Sequence, residues 1–323
     1  MKDKVPVAPA VGQRLAGRMV AVSVSAADDQ DRMGYPPDHM DRVLQAILVP
    51  IVTEGAVIAY GGRIEHEHNY TLIISNQLGE AYRRMEQRPG QRPFVHFLAQ
   101  HRFKATEPAR LLAHLQTLAP YGEIWVTGRE GVLGTFAAAS QQQALVAACK
   151  GPGFSADTML NFSEGVDGLI SSPTYAAIAA QDAPESNLSF TQMRQQMATS
   201  CHARVQVGGR SSGFSGAISG LCEEALLTIS AGCPLFALGG FGGASRDIAV
   251  ALGLLDLSAT VPPLPSADRE RYEVGLAMLR EARLSYLSMF SDASVQRLRD
   301  LAGTESLVDA SQSLSRLAVE LLT

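Results

Sequence analysis

The sequence predicts a doubly wound, mostly parallel α/β sheet, Rossmann-like, with a helical appendage at its carboxyl end. Three observations carry that prediction. Apolar runs of strand length alternate with segments of helical period along most of the chain. The runs are apolar on both sides, as strands covered by helices on two faces must be. Glycine clusters follow them at 61–62, 208–209 and 239–243, and open α/β sheets bind ligands beyond the carboxyl ends of their strands.

Taken in order, residues 1–17, with Pro6 and Pro9 among small residues, read as a leader. Residues 19–24 (MVAVSV) form the first strand, which stops in a small, acidic loop. Pro36-Pro37-Asp38 marks a helix start, and Met40, Val43, Leu44, Ile47, Leu48 and Ile51 keep the helical period to about residue 54. A kink is expected at Pro50. Residues 56–60 (AVIAY) close a βαβ unit. Residues 69–84 and 108–119 read as helices, and 94–98 and 123–126 as strands, with Trp125 in the core. Residues 150–190 are rich in Gly, Ser and Ala and show little period, with helical turns expected at 157–161 and 174–180. A helix at 189–200 feeds a central strand at 203–207. A helical pattern through Leu221, Ala225, Leu226 and Ile229 leads to a strand at 234–238, and a helix covers 247–252.

The run Val261-Pro262-Pro263-Leu264-Pro265 is the plainest linker. It divides a body at 18–260 from a helical segment at 261–323, with helices at 267–290, 294–301 and 305–322. In the last helix Leu307, Ala310, Leu314, Leu317, Ala318 and Leu321 lie on one stripe. That stripe either caps the body or pairs with a second subunit, and a homodimer or higher assembly is expected.

Composition narrows the function. With 323 residues, 46% hydrophobic and 18% charged, the chain has ample core for one large domain. A net charge of -5 argues against general nucleic-acid binding, which needs a basic face. Cys149, Cys201, Cys222 and Cys233 show neither CxxC nor zinc spacing and read as free thiols of a reducing compartment. No apolar run is long enough to span a bilayer and no signal-peptide pattern is present, so a cytoplasmic protein without membrane contact is expected.

Strand, glycine loop, helix, strand, glycine loop over residues 203–243 is how α/β proteins cradle a phosphate. Gly208, Gly209, Gly213, Gly220, Gly239, Gly240 and Gly242 let backbone N–H groups approach an anion, and a helix N-terminus adds positive potential. Arg63 follows Gly61-Gly62 and Arg210 follows Gly208-Gly209, a placement that suits phosphate contacts. Ser23, Ser25 and Ser211 offer hydroxyl donors, or fill turns. Glu223-Glu224 opens a helix, where an acidic pair complements the helix dipole by about 0.3–1 kcal/mol. Its place after a strand and a glycine loop favours a ligand role for one of the two. Arg194 reads either as a ligand clamp or as a solvated helix residue. His66-Glu67-His68 lacks a third ligand at helical spacing and reads as an exposed loop, so no metal and no cofactor is expected.

MRQQM at 193–197, ARVQVGG at 203–209 and the G-x-x-EE step from Gly220 to Glu224 together resemble the SLOG superfamily. That group includes the Lonely-guy phosphoribohydrolases, the Smf/DNA-processing proteins and nucleotide-sensing domains of bacterial conflict systems. The resemblance covers residues 18–255 and is strongest over 190–243. VSVSAADD and AYGGR resemble a prokaryotic subfamily met beside defence genes. Arg194, Gly208, Gly209, Gly220, Glu223 and Glu224 match positions that line the nucleotide site of the Lonely-guy enzymes. Val207 stands where those enzymes carry proline, the loop at 210–219 is longer, and Leu221 replaces a threonine.

The resemblance implies a nucleotide or NAD-derived ligand at the strand ends and self-association. It also implies one of two roles: an N-glycoside hydrolase or NAD-consuming enzyme, or a sensor acting with an effector protein in anti-phage defence. Hydrolysis passes through an oxocarbenium-like sugar, which a carboxylate stabilises while an arginine holds the phosphate or leaving group. Arg194 is the expected clamp. Glu223, three residues after Gly220, is the expected ligand-facing carboxylate, with Glu224 in support.

Overall fold

A computed structural model describes residues 13–64, 69–84, 92–118, 120–137, 162–214, 216–259 and 266–323. Its seven strands are β1 (Met19–Ser25), β2 (Val57–Gly61), β3 (Phe94–Ala99), β4 (Gly122–Gly128), β5 (Gly131–Phe136), β6 (Ala203–Gly208) and β7 (Leu235–Leu238). They form one sheet in the order β5-β4-β3-β2-β1-β6-β7. Every neighbouring pair is parallel except β4 with β5. From β1 the chain steps outward through β2, β3 and β4, then returns to pair β6 with the other side of β1. The strand order therefore reverses between β1 and β6, where a crevice opens at the carboxyl ends.

Helices α1 (His39–Thr53), α2 (Tyr70–Arg84), α3 (Gln100–Ala105) and α4 (Pro108–Leu118) belong to the first half. Then come α5 (Phe162–Ile170), α6 (Pro173–Ala180), α7 (Ser186–Ser200), α8 (Gly220–Ser230) and α9 (Gly243–Ala251), followed by α10 (Arg269–Leu287), α11 (Asp292–Gly303) and α12 (Leu307–Leu322). The sheet is apolar on both faces because both are covered. Val20, Val22 and Ile58 pack in one cluster with Val43, Leu44 and Ile47 of α1. Ala21, Val57, Ala59, Val95 and Phe97 pack in another with Met193 and Met197 of α7. α1 runs through Pro50 to Thr53.

Three elements escape the sequence reading, β5, α3 and α5, the last falling between the turns expected at 157–161 and 174–180. β5 carries glycines at 131 and 134 and shows no apolar alternation. A Cβ at Gly134 would lie 2.6 Å from Thr174 Cγ2, so the glycine that hides the strand pattern is what lets α6 pack on it. α3 starts directly at the end of β3 with no turn residue to announce it. The helical turn expected at 157–161 and the proline-rich linker at 261–265 lie outside the described residues. Of the segment 1–17, residues 13–17 are anchored on the body. Leu15 is buried and its N–H donates to the Glu54 carbonyl at 2.7 Å.

The carboxyl-terminal helices cover the body of their own chain. On α12, Ala310, Leu314, Leu317, Ala318 and Leu322 are buried against α1, while Leu307 and Leu321 are half-buried. The stripe is thus satisfied within the chain and needs no second subunit to cover it. α11 packs on β7, and the α10 phenol Tyr286 donates to the Leu235 carbonyl at 2.6 Å in a buried contact. Gly240 meets this segment most tightly, since a Cβ there would lie 2.0 Å from the Thr304 carbonyl oxygen.

Leu314→Ala is expected to destabilise the chain by about 2–5 kcal/mol, the range for a large-to-small change in a packed core. Urea denaturation at two protein concentrations checks it. An intramolecular cap gives the same loss at both, whereas a loss that grows on dilution would place α12 in a subunit interface.

Candidate functional site

Over the carboxyl ends of β1 and β2, beside the crevice and next to the β6–α8 loop, lies a cavity of about 500 Å³. Ser23 and Ser25 of β1, and Tyr60 to Arg63 at the end of β2, line it from the strand ends. Tyr70 of α2, Phe190 and Arg194 of α7, Arg210 and Phe214 of the β6–α8 loop, and Gly220 and Glu224 of α8 complete it. A larger open recess of about 970 Å³ lies among α1, α2 and α4 beside Tyr121. It sits where the chain enters β4, and its lining charges come from α2 alone, where Arg83 and Arg84 both pair with the exposed Glu80. The strand-end cavity, where charges converge from separate elements, is the candidate site.

Its electrostatics are built around a buried arginine. Arg204 lies inside β6 and is 1% exposed. Its Nε donates to Thr228 Oγ1 at 2.8 Å and its Nη1 to Ser23 Oγ at 2.7 Å, with Glu224 Oε2 3.2 Å from Nη1. Arg194 Nε stands 3.5 Å from Glu224 Oε1, so Glu224 lies between two guanidinium groups. Glu223 turns away: its carboxylate accepts from Arg194 and, at 2.6 Å, from Thr191 Oγ1. The expected placement of the two carboxylates is therefore reversed. Glu224 lines the cavity and Glu223 sits against α7, because one residue along a helix turns a side chain by about 100°. Arg194 in turn packs on the helix start, where a Cβ at Gly220 would lie 2.6 Å from its Nη2. Burial first, and then the charge of Glu224, push the Tyr60 phenol pKa up, so Tyr60 stays protonated. Tyr70 is pushed up to about 12, chiefly by burial.

Two helix N-termini meet the crevice and are treated differently. At α9 the Gly243 N–H donates to Asp29 Oδ1 at 2.8 Å, and Arg246 Nη1 donates to Asp29 Oδ2 at 3.1 Å. The cradle formed by the third glycine cluster thus holds a carboxylate of the chain itself. Beside it, the Ser211 N–H and Oγ both donate to Asp28 Oδ2, at 2.7 and 2.8 Å. At α8, Ser219 makes no capping bond with its side chain, and Ser219, Gly220 and Leu221 line the cavity. The positive end of α8 therefore faces open space. Asp247, next to this acidic pair, is pushed up to about 6, mainly by burial, and accepts from the Tyr272 hydroxyl at 2.7 Å.

The β2 end is fixed from below. His96 Nε2 lies 3.1 Å from the Gly62 carbonyl, and its Nδ1 lies 3.2 Å from His114 Nε2. Burial lowers His96 to about 4 and His114 well below the usual range, so both rings are neutral at pH 7. The carbonyl requires a donor, which puts the His96 proton on Nε2 and leaves Nδ1 to accept from His114. Thr71 Oγ1 donates to the Arg63 carbonyl at 2.8 Å and completes the hold on this loop.

The structure thus brings together Ser23, Ser25, Gly61, Gly62, Arg63, Arg194, Arg210, Gly213, Gly220 and Glu224. It sets the other expected residues apart. Gly208, at φ 65°, and Gly209, at φ 103°, turn the chain from β6 and pack on Ser25 and Ala244. Gly209 and Ser211 line a small neighbouring void with Asp28 and Asp29. Gly239, Gly240 and Gly242 pack against Arg246, Thr304 and Met33. The sequence reading missed Arg204, Tyr60, Tyr70, Phe190, Phe214 and the His96–His114 pair. Arg204 had a legible signal, since a charged residue inside an apolar strand bounded by glycines needs a partner. Among the described residues no group of three or more His, Cys, Asp or Glu side chains is arranged to hold a metal ion, and His66-Glu67-His68 lies outside them. No helix among the described residues is long and apolar enough to cross a membrane.

A family model described as SLOG cluster2 matches residues 14–144 and 159–287, most of the chain. No curated protein and no solved structure matches it.

Arg204→Ala is expected to cost about 3–5 kcal/mol, because it strands Glu224 in the interior with one partner fewer. Chemical denaturation measures this, and a loss under 1 kcal/mol would show that Glu224 does not depend on Arg204. Asp247 gives a pH signature. Its folded pKa of about 6 exceeds the ordinary 3.8, so the native state keeps a proton that the unfolded chain releases. The stability it contributes is full below pH 3.8 and is lost as pH rises to about 6. Asp247→Asn should remove that loss, gaining on wild type by about 2–3 kcal/mol between those pH values. Parallel stability profiles for the two proteins would refute the assignment.

Proposed function

The chain belongs to the SLOG cluster2 family, and from that premise we propose that it binds a nucleotide or NAD-derived small molecule in the strand-end cavity. The observation that carries the reading is the asymmetry of the two glycine cradles. At α9 the cradle is filled by Asp29, whereas at α8 the helix N-terminus opens on a cavity that also holds Arg63 and Arg210. An anionic group is repelled by the first and attracted by the second. The phosphate end of the ligand lies along Arg63, Arg210 and the start of α8, and Ser23 and Ser25 supply hydroxyl groups at the strand ends.

The chemistry this site offers is N-glycoside hydrolysis. Glu224 is the one carboxylate lining the cavity among the described residues. Placed beside the anomeric carbon, it stabilises an oxocarbenium-like sugar, while Arg194 fixes its orientation. One observation favours a second reading, a ligand sensor that acts with a partner protein. Both Glu224 oxygens face guanidinium groups, at 3.5 and 3.2 Å, and among the described residues no second carboxylate lines the cavity to protonate a leaving base.

Calorimetry with nucleoside phosphates and NAD, followed by chromatography for free base or nicotinamide, tests both. Arg63→Ala and Arg210→Ala should each weaken binding about ten-fold or more, as expected when a charge-assisted hydrogen bond is lost. If the protein is a hydrolase, Glu224→Gln abolishes base release and keeps binding, while Glu223→Gln retains turnover. Tight binding by wild type without base release selects the sensor. Absence of binding to any nucleotide or to NAD rejects the reading.

A further inference from the structure

Among the described residues four aromatic rings line the cavity, and they are not equally engaged. Tyr60 is buried at 8% exposure. The Phe190 ring is engaged by the guanidinium carbons of Arg102 and Arg194, 5.5 and 5.7 Å from its centroid, and by His101 edge-on at 4.7 Å. Tyr70 keeps a half-buried ring next to Asp41 and Arg210 charges. Phe214 is different. It lies in the loop between β6 and α8, half-buried against the core and lining the cavity, with one cation over its ring, Arg271 at 4.9 Å.

The loop around Phe214 is held from outside the sheet. The Gly213 N–H donates to Asp268 Oδ2 at 2.7 Å, and Arg271 donates to the Gly216 carbonyl and to Asp268. On the other side Ser211 is tied to Asp28. Asp268 and Arg271 are the N-cap and first turn of α10, so the carboxyl-terminal segment fixes a ring at the cavity wall. A loop pinned on both sides of a half-exposed aromatic has the form of a preorganised stacking surface, and a guanidinium on one face suits a planar ring on the other.

We propose that Phe214 is the platform on which the planar ring of the ligand stacks, and that Arg271 is its positioning residue. The proposal rests on the reading that the cavity takes a nucleotide. It adds which wall receives the base, and it makes α10 a part of the site.

Calorimetry with AMP, GMP, CMP, UMP and NAD on wild type, Phe214→Leu, Phe214→Tyr and Arg271→Met tests it. Phe214→Leu keeps apolar bulk and the wild-type thermal midpoint, yet should weaken binding of whichever probe wild type binds by about five-fold or more. Phe214→Tyr, which restores a ring, should bind within about two-fold of wild type, and Arg271→Met should fall with the leucine variant. Wild-type affinity in Phe214→Leu, or equal losses in the leucine and tyrosine variants, overturns the stacking role and leaves nucleotide binding standing. Wild-type affinity in Arg271→Met alone removes the positioning role. A wild type that binds none of the five probes overturns this inference together with the function on which it rests.

Discussion

A guanidinium in the middle of a parallel sheet is tolerated only where a carboxylate and hydrogen-bond acceptors replace its water. Arg204 is held by Glu224, Thr228 and Ser23, which come from α8 and β1, through its Nε and Nη1. The requirement fixes how α8 is rotated on the sheet. It turns Glu224 inward to the cavity, sends Glu223 to α7, and draws Arg194 over the start of α8 to balance both carboxylates. Three of the elements that bound the crevice, β1, α7 and α8, are thus locked together by one buried charge network.

The same crevice shows how a fold with several glycine-rich strand ends arrives at one candidate site. Each helix after a strand presents free N–H groups, and each is a potential anion site. At α9 the chain supplies its own anion, Asp29, with Arg246 behind it. At α8 the N-cap Ser219 makes no capping bond with its side chain. Gly239 and Gly240 then serve packing, allowing the carboxyl-terminal segment to approach the sheet edge within backbone contact distance. Glycine in this protein has two separate uses, and only neighbouring atoms distinguish them.

The carboxyl-terminal helices have a similar double standing. By sequence they form an appendage after a proline-rich linker. In the structure α12 covers α1, α11 covers β7, and α10 grips the β6–α8 loop through Asp268 and Arg271. Whatever orders that loop therefore also acts on α10, which gives the segment a physical route to the site that its position at the end of the chain does not suggest.

How much of this was legible follows from the range of the forces involved. The sequence alone determined the parallel α/β class, six of the strands, the helices that carry amphipathic stripes, the SLOG relationship and the stretch 190–243 as the centre of the molecule. The SLOG relationship rests on the resemblance of the motifs between 193 and 224, and the rest follows from local periodicity, from burial on two faces and from glycines at strand ends, all of which are written in neighbouring residues. β5 escaped because its glycines answer to a helix some forty residues later. Only the tertiary structure decided that Glu224 rather than Glu223 faces the cavity, that Asp29 fills one cradle and leaves the other open, and that the stripe on α12 is covered by its own chain. Each of those outcomes pairs residues from distant parts of the sequence, and such a pairing is set by how whole elements pack, which no local pattern records.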